Sequence, residues 1–437
     1  MKWHKTIILI GSLVVGCVPP PATPTQIGRE NVPTLLSPLV LTATVVSSTV
    51  TPISTAPTSE NSNSSNCFEV LDKAPEDKLG TGVVVLENRK YDSIGRGLPG
   101  FFLLNMQTRK INDLDKSNEG FGKAVVSPDG TMLSVEYVKF EREGDNVKTL
   151  KDELLIITAD GTILQELQWE QGWVGDAVWL DDQRVIINVA GLDPEESRAV
   201  KPSTLLVLNP FTGERKILKP DLPGIYNGYP LPYWGEPWGH SLSVYNRPLS
   251  RVVYLGGGGY TYVLWDVEKK RELLRFVSWF SGNDERPSWS PDGSKFVVSA
   301  YFGNMDLWPQ PADGLYLIDT EGNVSKLLST NRDVYFYDHF WSPSGKYIAL
   351  LVDKSDSVEI RKRLWLLDIQ TSQVVDTCIE YRSLSGDDMP IWSPDETQIL
   401  LYDSTQAGSK VILVDLVERI TYQIAEDMEP KGWLKSP

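Results

Sequence analysis

From about residue 82 onward, short apolar runs alternate with polar turns, and two patterns keep returning. The first is four apolar residues closed by Asp, Asn or Thr. It reads Phe101-Phe102-Leu103-Leu104-Asn105, Leu154-Leu155-Ile156-Ile157-Thr158, Leu205-Leu206-Val207-Leu208-Asn209, Tyr262-Val263-Leu264-Trp265-Asp266, Leu315-Tyr316-Leu317-Ile318-Asp319, Leu364-Trp365-Leu366-Leu367-Asp368 and Val411-Ile412-Leu413-Val414-Asp415. Seven copies at a spacing of roughly 50 residues mark a repeat architecture. Turn residues follow, such as Asp160-Gly161, Thr212-Gly213 and Glu321-Gly322, and then another short strand. Asp and Asn bond their own downstream backbone and Gly takes positive φ, so each copy predicts a hairpin.

The second pattern is Trp289-Ser290-Pro291-Asp292, Trp341-Ser342-Pro343-Ser344 and Trp392-Ser393-Pro394-Asp395, with a cousin at Val126-Ser127-Pro128-Asp129. Ser suits the first position of a type I turn, Pro presets φ at the second, and Gly fits the fourth. Each unit therefore reads as four strands, a to d, joined by turns. The apolar runs are continuous more often than alternating, which predicts sheets buried on both faces. Four-stranded sheets of that kind at this period are propeller blades. Trp179, Tyr245, Trp289, Trp341 and Trp392, at the ends of strands a, are expected to pack between blades. No long segment of helical period interrupts the pattern.

The first unit has strand b at 82–86, then c and d, but no strand a. Residues 430–434 look like a strand a with nothing after it. Joined, they complete one blade and remove the open edges. The expected fold is all-β, a seven-bladed β-propeller whose N-terminal blade is closed by the C-terminal strand. Six blades is the alternative, if the ring closes without a composite sheet. Trp179-Leu180-Asp181-Asp182 lacks Ser-Pro, and Tyr245-Asn246-Arg247-Pro248 departs most. These motifs, best matched at 289–298, 341–350 and 392–401, resemble the TolB-like, WD-repeat-like propeller repeats of bacterial envelope proteins. The resemblance covers 79–437 and implies a fold that hosts binding proteins and enzymes alike. It also implies a transient role in an envelope complex.

Before the repeats, Lys2 and Lys5 precede a mostly apolar stretch at 6–15, too short to span a bilayer. It ends in Val14-Val15-Gly16-Cys17, which resembles the bacterial lipobox. The resemblance implies a lipoprotein signal peptide at 1–16 and lipidation of Cys17. The alternative is a plain secretory signal with Cys17 near the cleavage site. On the lipoprotein reading the bilayer is a partner through acylated Cys17, and the protein is extracytoplasmic, anchored to the bacterial cell membrane or outer membrane. Residues 17–66 are rich in Pro, Thr and Ser, the composition of a disordered tether. The propeller is expected over 67–437.

Net charge is −16, with 58 acidic and 42 basic residues, which argues against a nucleic-acid partner. Cys67 and Cys378 can pair outside the cytoplasm; the sequence leaves open whether they meet.

The b–c loops are long: 87–99, 139–153, 191–203, 302–314 and 354–363. In an up-and-down blade they share one face with the d–a loops, and long loops on a rigid scaffold are the usual place for function. Residues 226–240 fall on a d–a connection and offer Tyr226, Tyr229, Tyr233, Trp234, Trp238 and His240, with Glu236. Such aromatic plates suit sugar rings, proline-rich peptides or apolar partner side chains. The alternative is that they cap the divergent blade and point inward. Trp308 is a further candidate on the same face.

Catalytic signatures are absent. There is no Gly-x-Ser-x-Gly elbow, and two histidines after Cys17, His240 and His339, do not make a zinc site. His339 is expected to be structural. No cofactor motif appears, and the glycines at 256–259 read as a bulge, not a phosphate loop. The expectation is non-covalent recognition of a protein, peptide or envelope glycan. The alternative is an enzyme acting on extracellular carbohydrate or peptide, for which a carboxylate pair such as Glu236 with Asp306 is conceivable. Acids clustered at the channel mouth would favour it.

Overall fold

The computed structural model describes residues 67–75, 80–88, 100–114, 120–143, 146–168, 173–190, 204–218, 225–226, 229–230, 245–257, 261–277, 288–302, 313–330, 335–353, 361–382, 389–405 and 408–436. They form eight sheets, seven of them in a ring, a seven-bladed β-propeller, and the eighth a two-stranded hairpin. Blade 1 is Met428–Leu434, Val83–Asn88, Gly100–Asn105 and Ile111–Asp113. Blade 2 is Gly120–Val126, Met132–Glu143, Asn146–Thr158 and Ile163–Gln168. Blade 3 is Trp173–Trp179, Val185–Ala190, Thr204–Leu208 and Arg215–Leu218. Blade 4 is Arg251–Gly257, Thr261–Asp266 and Arg271–Val277. Blade 5 is Ser288–Trp289, Lys295–Ala300, Gly314–Asp319 and Val324–Ser329. Blade 6 is Tyr335–Trp341, Tyr347–Asp353, Arg361–Asp368 and Gln373–Arg382. Blade 7 is Ile391–Trp392, Gln398–Thr405, Gly408–Asp415 and Ile420–Glu426.

The composite blade forms as the sequence predicts. Leu434 pairs with Val83 and Trp433 with Val84 in antiparallel register. The Trp433 indole donates to the Thr81 carbonyl at 3.0 Å, and the Gly82 amide donates to Ser436 Oγ at 3.0 Å.

Both faces of each blade are apolar because each packs on a neighbour. On Val83–Asn88, Val83 and Val85 join a core with Leu133, Val135 and Leu155 of blade 2. Val84 and Leu86 join one with Leu400, Leu413 and Tyr422 of blade 7. Among the described residues seven such cores occur, one between each pair of adjacent blades. The strand-a tryptophans add a directional bond to this packing. Trp179 donates to Val125 O (3.1 Å), Trp341 to Ser288 O (2.8 Å) and Trp392 to Phe340 O (3.3 Å). Each acceptor is the residue before the equivalent position one blade back.

The Ser-Pro-Asp turns bond as their chemistry dictates. Ser290 Oγ donates to Asp292 (2.5 Å), and Asp292 accepts the Ser294 amide (3.0 Å). Gly293 closes the turn at φ 68°. Partial burial works against ionisation of Asp129, Asp292 and Asp395. The serine hydroxyl and the backbone amide outweigh it and hold all three carboxyls below the usual aspartate value. Neighbouring turns also touch. The Lys435 amide donates to Gly130 O (2.7 Å), and the Asp129 amide to Asp182 of blade 3 (3.1 Å). Asn246 and Arg247 of blade 4 donate to Gly293 O (3.1 Å) and Pro291 O (3.2 Å) of blade 5. This belt braces the face opposite the b–c connections.

Three features differ from the sequence reading. The b–c connection of blade 2 is not a long loop. Met132–Glu143 and Asn146–Thr158 stay paired out to Glu143 and Asn146, a ribbon joined by two residues. Polar and apolar positions alternate over Leu133–Tyr137 and again over Val138–Glu141, a short period-2 signal that a search for continuous apolar runs passes over. In blade 4, strand a is represented among the described residues by one bridge, Tyr245 to Val252. Blade 7 gains an outer fifth strand, Glu69–Val70, parallel to Ile420 and Thr421.

Candidate functional site

Cys67 and Cys378 form a disulfide, with Cα atoms 5.1 Å apart. It fastens the start of the described chain to the outer strand of blade 6. Cys378 sits in a bulge at φ 59°, which turns its side chain out of the regular pleat. Phe68 fills the core between blades 6 and 7, and the Arg419 guanidinium lies over its ring at 5.1 Å.

Of the aromatic segment, only a two-pair hairpin is described, Ile225–Tyr226 with Tyr229–Pro230, in which the backbone of Tyr226 pairs with that of Tyr229. Tyr233, Trp234, Glu236, Trp238 and His240 lie outside the described residues, as do Asp306, Trp308 and Cys17. His339 is buried and its Nε2 bonds Val297 O of blade 5 at 2.9 Å, a structural bond between blades. A bulge falls at Gly256, between Leu255 and Gly257.

The described site on the loop face lies at the interface of blades 1 and 2. The face of Val83–Asn88 that carries Val83 and Val85 continues to Glu87. The face of Asn146–Thr158 that carries Ile157 and Leu155 continues to Glu153. At the loop end, the apolar core between these blades thus gives way to carboxylates. Glu153 is 3% and Glu429 2% exposed. Lys431 stands between two of them: its Nζ is 3.0 Å from Glu87 Oε2 and hydrogen-bonds Glu429 Oε1. Burial pulls the Lys431 ammonium down, but the two glutamates outweigh it and hold the pKa above the ordinary lysine value. Lys431 reaches both because the strand bulges there, the register slipping between Val85–Gly432 and Leu86–Pro430. On the other side of blade 2, Glu136 is buried opposite Leu154, toward blade 3.

This layer can hold charge in a dry environment and present it to the loop face. Lys431 touches both acids and balances one of their two charges, the arrangement of a salt-bridged scaffold. Among the described residues no group of three or more His, Cys, Asp or Glu side chains is placed to hold a metal ion. The sequence reading passed over Glu87, Glu153, Glu429 and Lys431. The available signal was a charged residue directly continuing an apolar strand, as in Val85-Leu86-Glu87.

No protein-family model and no curated protein matches this chain. Solved structures similar to it include TolB from Acinetobacter baumannii, at 13% identity and a TM-score of 0.41, covering 81% of this chain and 67% of that one. An oligogalacturonate lyase in complex with manganese is similar at 13% identity and a TM-score of 0.46, covering 80% and 86%. A functionally unknown protein from Desulfotomaculum acetoxidans is similar at 12% identity and a TM-score of 0.44, covering 82% and 100%. The likeness is one of fold, and function has to be argued from the residues.

Proposed function

We propose that this chain is a membrane-anchored extracytoplasmic propeller that recognises a protein, peptide or envelope glycan without covalent chemistry. Cys17 carries the lipid and residues 17–66 hold the ring away from the bilayer. The loop face, with Tyr229, Tyr233, Trp234, Trp238, His240 and Trp308, makes the contact.

The observation that carries this reading is Lys431. Where acids converge at the loop end of blade 1, a buried cation joins Glu87 and Glu429. A general acid or base has to exchange a proton with substrate near neutral pH. Carboxylates committed to a buried ammonium serve a rigid frame instead. The belt of turns on the opposite face supports the same reading, because a braced ring presents its loops at little cost in ordering on binding.

The test is a pull-down from native envelope with the full chain, comparing wild type with Trp234→Ala plus Trp238→Ala. Loss of the wild-type partner in the variant supports the aromatic site; an unchanged partner set removes it. Incorporation of labelled palmitate that disappears in Cys17→Ser tests the anchor.

A second reading, an enzyme on extracellular carbohydrate or peptide, is favoured by the burial of Glu136 and Glu153 on the two faces of blade 2. Turnover of an envelope polysaccharide or peptide that falls by orders of magnitude in Glu153→Gln would establish it in place of the first.

A further inference from the structure

On the rim, where blade 7 meets blade 1, lies a cavity of about 390 Å³ that the loop-face reading does not use. Leu86, Leu104 and Met106 of blade 1 line it, together with Ile424, Ala425 and Met428. Ala74, Asn105, Arg109, Ile111, Gln423 and Glu426 complete the lining. The volume is at the low end of pockets that hold small ligands, and is enough to take large apolar side chains.

Three observations point to one kind of occupant. The first is a strand edge. Ile420–Glu426 is the outer strand of blade 7, and the chain's own Glu69–Val70 covers only its beginning. The Glu69 amide donates to Arg419 O (2.9 Å) and the Leu71 amide to Thr421 O (2.8 Å). The chain then bends at Asp72 and Lys73 and crosses to the cavity, where Ala74 joins the lining and Pro75 O accepts from Arg109. The alternation that turns the carbonyls of residues 419 and 421 outward turns that of Gln423 outward as well. Gln423 and Ala425 both line the cavity, so among the described residues the edge runs on beside it past the point where the covering strand ends, through a bulge at Ile424 where the register slips between Ile412–Gln423 and Val411–Ala425.

The second is Arg109. It stands in the c–d turn of blade 1 at φ 57°, where the matching turn of blade 3 has Gly213. The two positions correspond: the Arg109 amide bonds Asn105 O as the Gly213 amide bonds Asn209 O. The same turn position holds Lys270, Ser372 and Arg419 at positive φ in blades 4, 6 and 7, so what sets Arg109 apart is its surroundings and not its backbone. Its guanidinium donates to Pro75 O at 2.9 Å, and among the described residues it forms no ion pair, although the chain carries a net charge of −16. The third is Ile111, which lines the cavity and is 54% exposed, an apolar side chain left at its mouth.

We propose that this groove binds an extended peptide segment of a partner protein. The segment adds to the sheet of blade 7 along residues 423–426 and seats an apolar side chain between Met106 and Ile424. It sets one carboxylate, from an acidic residue or a chain terminus, on Arg109. The chain's own strand already does on the first residues of this edge what the partner does on the next. Glu426, which accepts from Gln423 Nε2 at 2.7 Å, disfavours a second negative charge on the ligand.

The probe is a phage-displayed library of random peptides of roughly 12 residues, selected on the full chain, with affinity then measured by fluorescence anisotropy. The expected result is a set of peptides sharing an apolar residue followed by one carboxylate, weakened at least about tenfold by Arg109→Gly and by Ala425→Trp. Arg109→Gly suits the turn's backbone, so an unchanged unfolding midpoint separates lost binding from lost fold. Trp234→Ala plus Trp238→Ala should leave these affinities unchanged, which keeps this site distinct from the loop-face proposal. The inference is overturned if no peptide is selected, or if the selected peptides bind Arg109→Gly as well as wild type. It is also overturned if laurate, and no peptide, binds in an Arg109-dependent way, which would make the cavity an amphiphile pocket.

Discussion

Glu396 of blade 7 caps Ser344 of blade 6: its carboxylate accepts both the Ser344 amide and the Ser344 hydroxyl, the latter at 2.8 Å. Each residue departs from the turn formula. Ser344 stands where other copies have Asp, and Glu396, at φ 60°, stands where they have Gly. The carboxylate missing from one turn is supplied by the next blade. Glu396→Gly relieves the backbone but removes the cap, and each effect is worth about 1 kcal/mol, so the single change should be close to neutral. Ser344→Asp alone places two carboxylates together and should destabilise. The double change restores the formula in both turns and should exceed wild type by about 1 kcal/mol. A double-mutant cycle from urea unfolding checks this; additivity of the two changes would show that the residues do not compensate each other.

The inter-blade indole bonds make a separate prediction. Trp392 stacks on Tyr347 at 6.3 Å and donates to Phe340 O. Trp392→Phe keeps most of the packing and strands one carbonyl, at a cost of about 1 kcal/mol. Trp392→Ala also opens a cavity between blades 6 and 7, at a cost of about 3–5 kcal/mol. Equal losses in the two variants, read from unfolding midpoints, would mean that the hydrogen bond carries the whole effect and the ring none.

Acidification should act through the turns. The carboxyls of Asp129, Asp292 and Asp395 are held below the ordinary aspartate value of 3.8. A depressed folded pKa contributes stability that is present above the unfolded value and lost as pH falls through the folded one. Stability is therefore expected to drop below about pH 4, and Asp292→Asn should shallow that slope. A slope that Asp292→Asn leaves unaltered would place the acid sensitivity elsewhere.

The ring was legible because its information is local. Ser290, Pro291, Asp292 and Gly293 make their turn from their own atoms, whatever blade they serve. Even the missing strand a of blade 1 could be found, because Gly432-Trp433-Leu434 is an apolar end without a partner in sequence. Blade 4 was harder, since its turn replaces Ser with Asn. Asn246 Oδ1 accepts the Arg251 amide at 2.9 Å, much as Ser290 Oγ accepts the Lys295 amide at 3.2 Å. The acidic layer was not legible at all. Whether Glu87 ends its strand in solvent or under blade 2 depends on Leu155 and Glu153, which lie far away in the chain. The rim groove needs three separate stretches, around Leu86, Met106 and Ile424, to meet.

The disulfide lies outside the closure of the ring, which is made by residues 428–434 on 83–88. Cys67→Ser plus Cys378→Ser should cost about 2–4 kcal/mol, since the bridge closes a long loop. The loss should be local in its first effect. Amides of residues 68–71 are expected to gain hydrogen exchange before those of blade 1. Simultaneous exposure of both would mean that the N-terminal strand is part of the closure.

The last prediction concerns Lys431, which links the inner strand of blade 1 to the acids at the loop end. Lys431→Met keeps the length of the side chain and removes the charge, leaving Glu87 and Glu429 together in a buried layer. Breaking a buried pair in this way costs about 3–5 kcal/mol. Adding Glu429→Gln removes one of the stranded charges and should recover part of the loss. The pH dependence gives the sign. In wild type the Lys431 pKa is raised above 10.5, so its contribution is complete below that value and is lost as pH rises through the folded pKa. In Lys431→Met the stranded carboxyls favour the protonated form, so the variant should become more stable as pH falls from about 8 to about 5. Wild type should change little over that range. A Lys431→Met variant equally stable at both pH values would mean that water already solvates these glutamates, and that the layer is an open acidic cleft fit for chemistry.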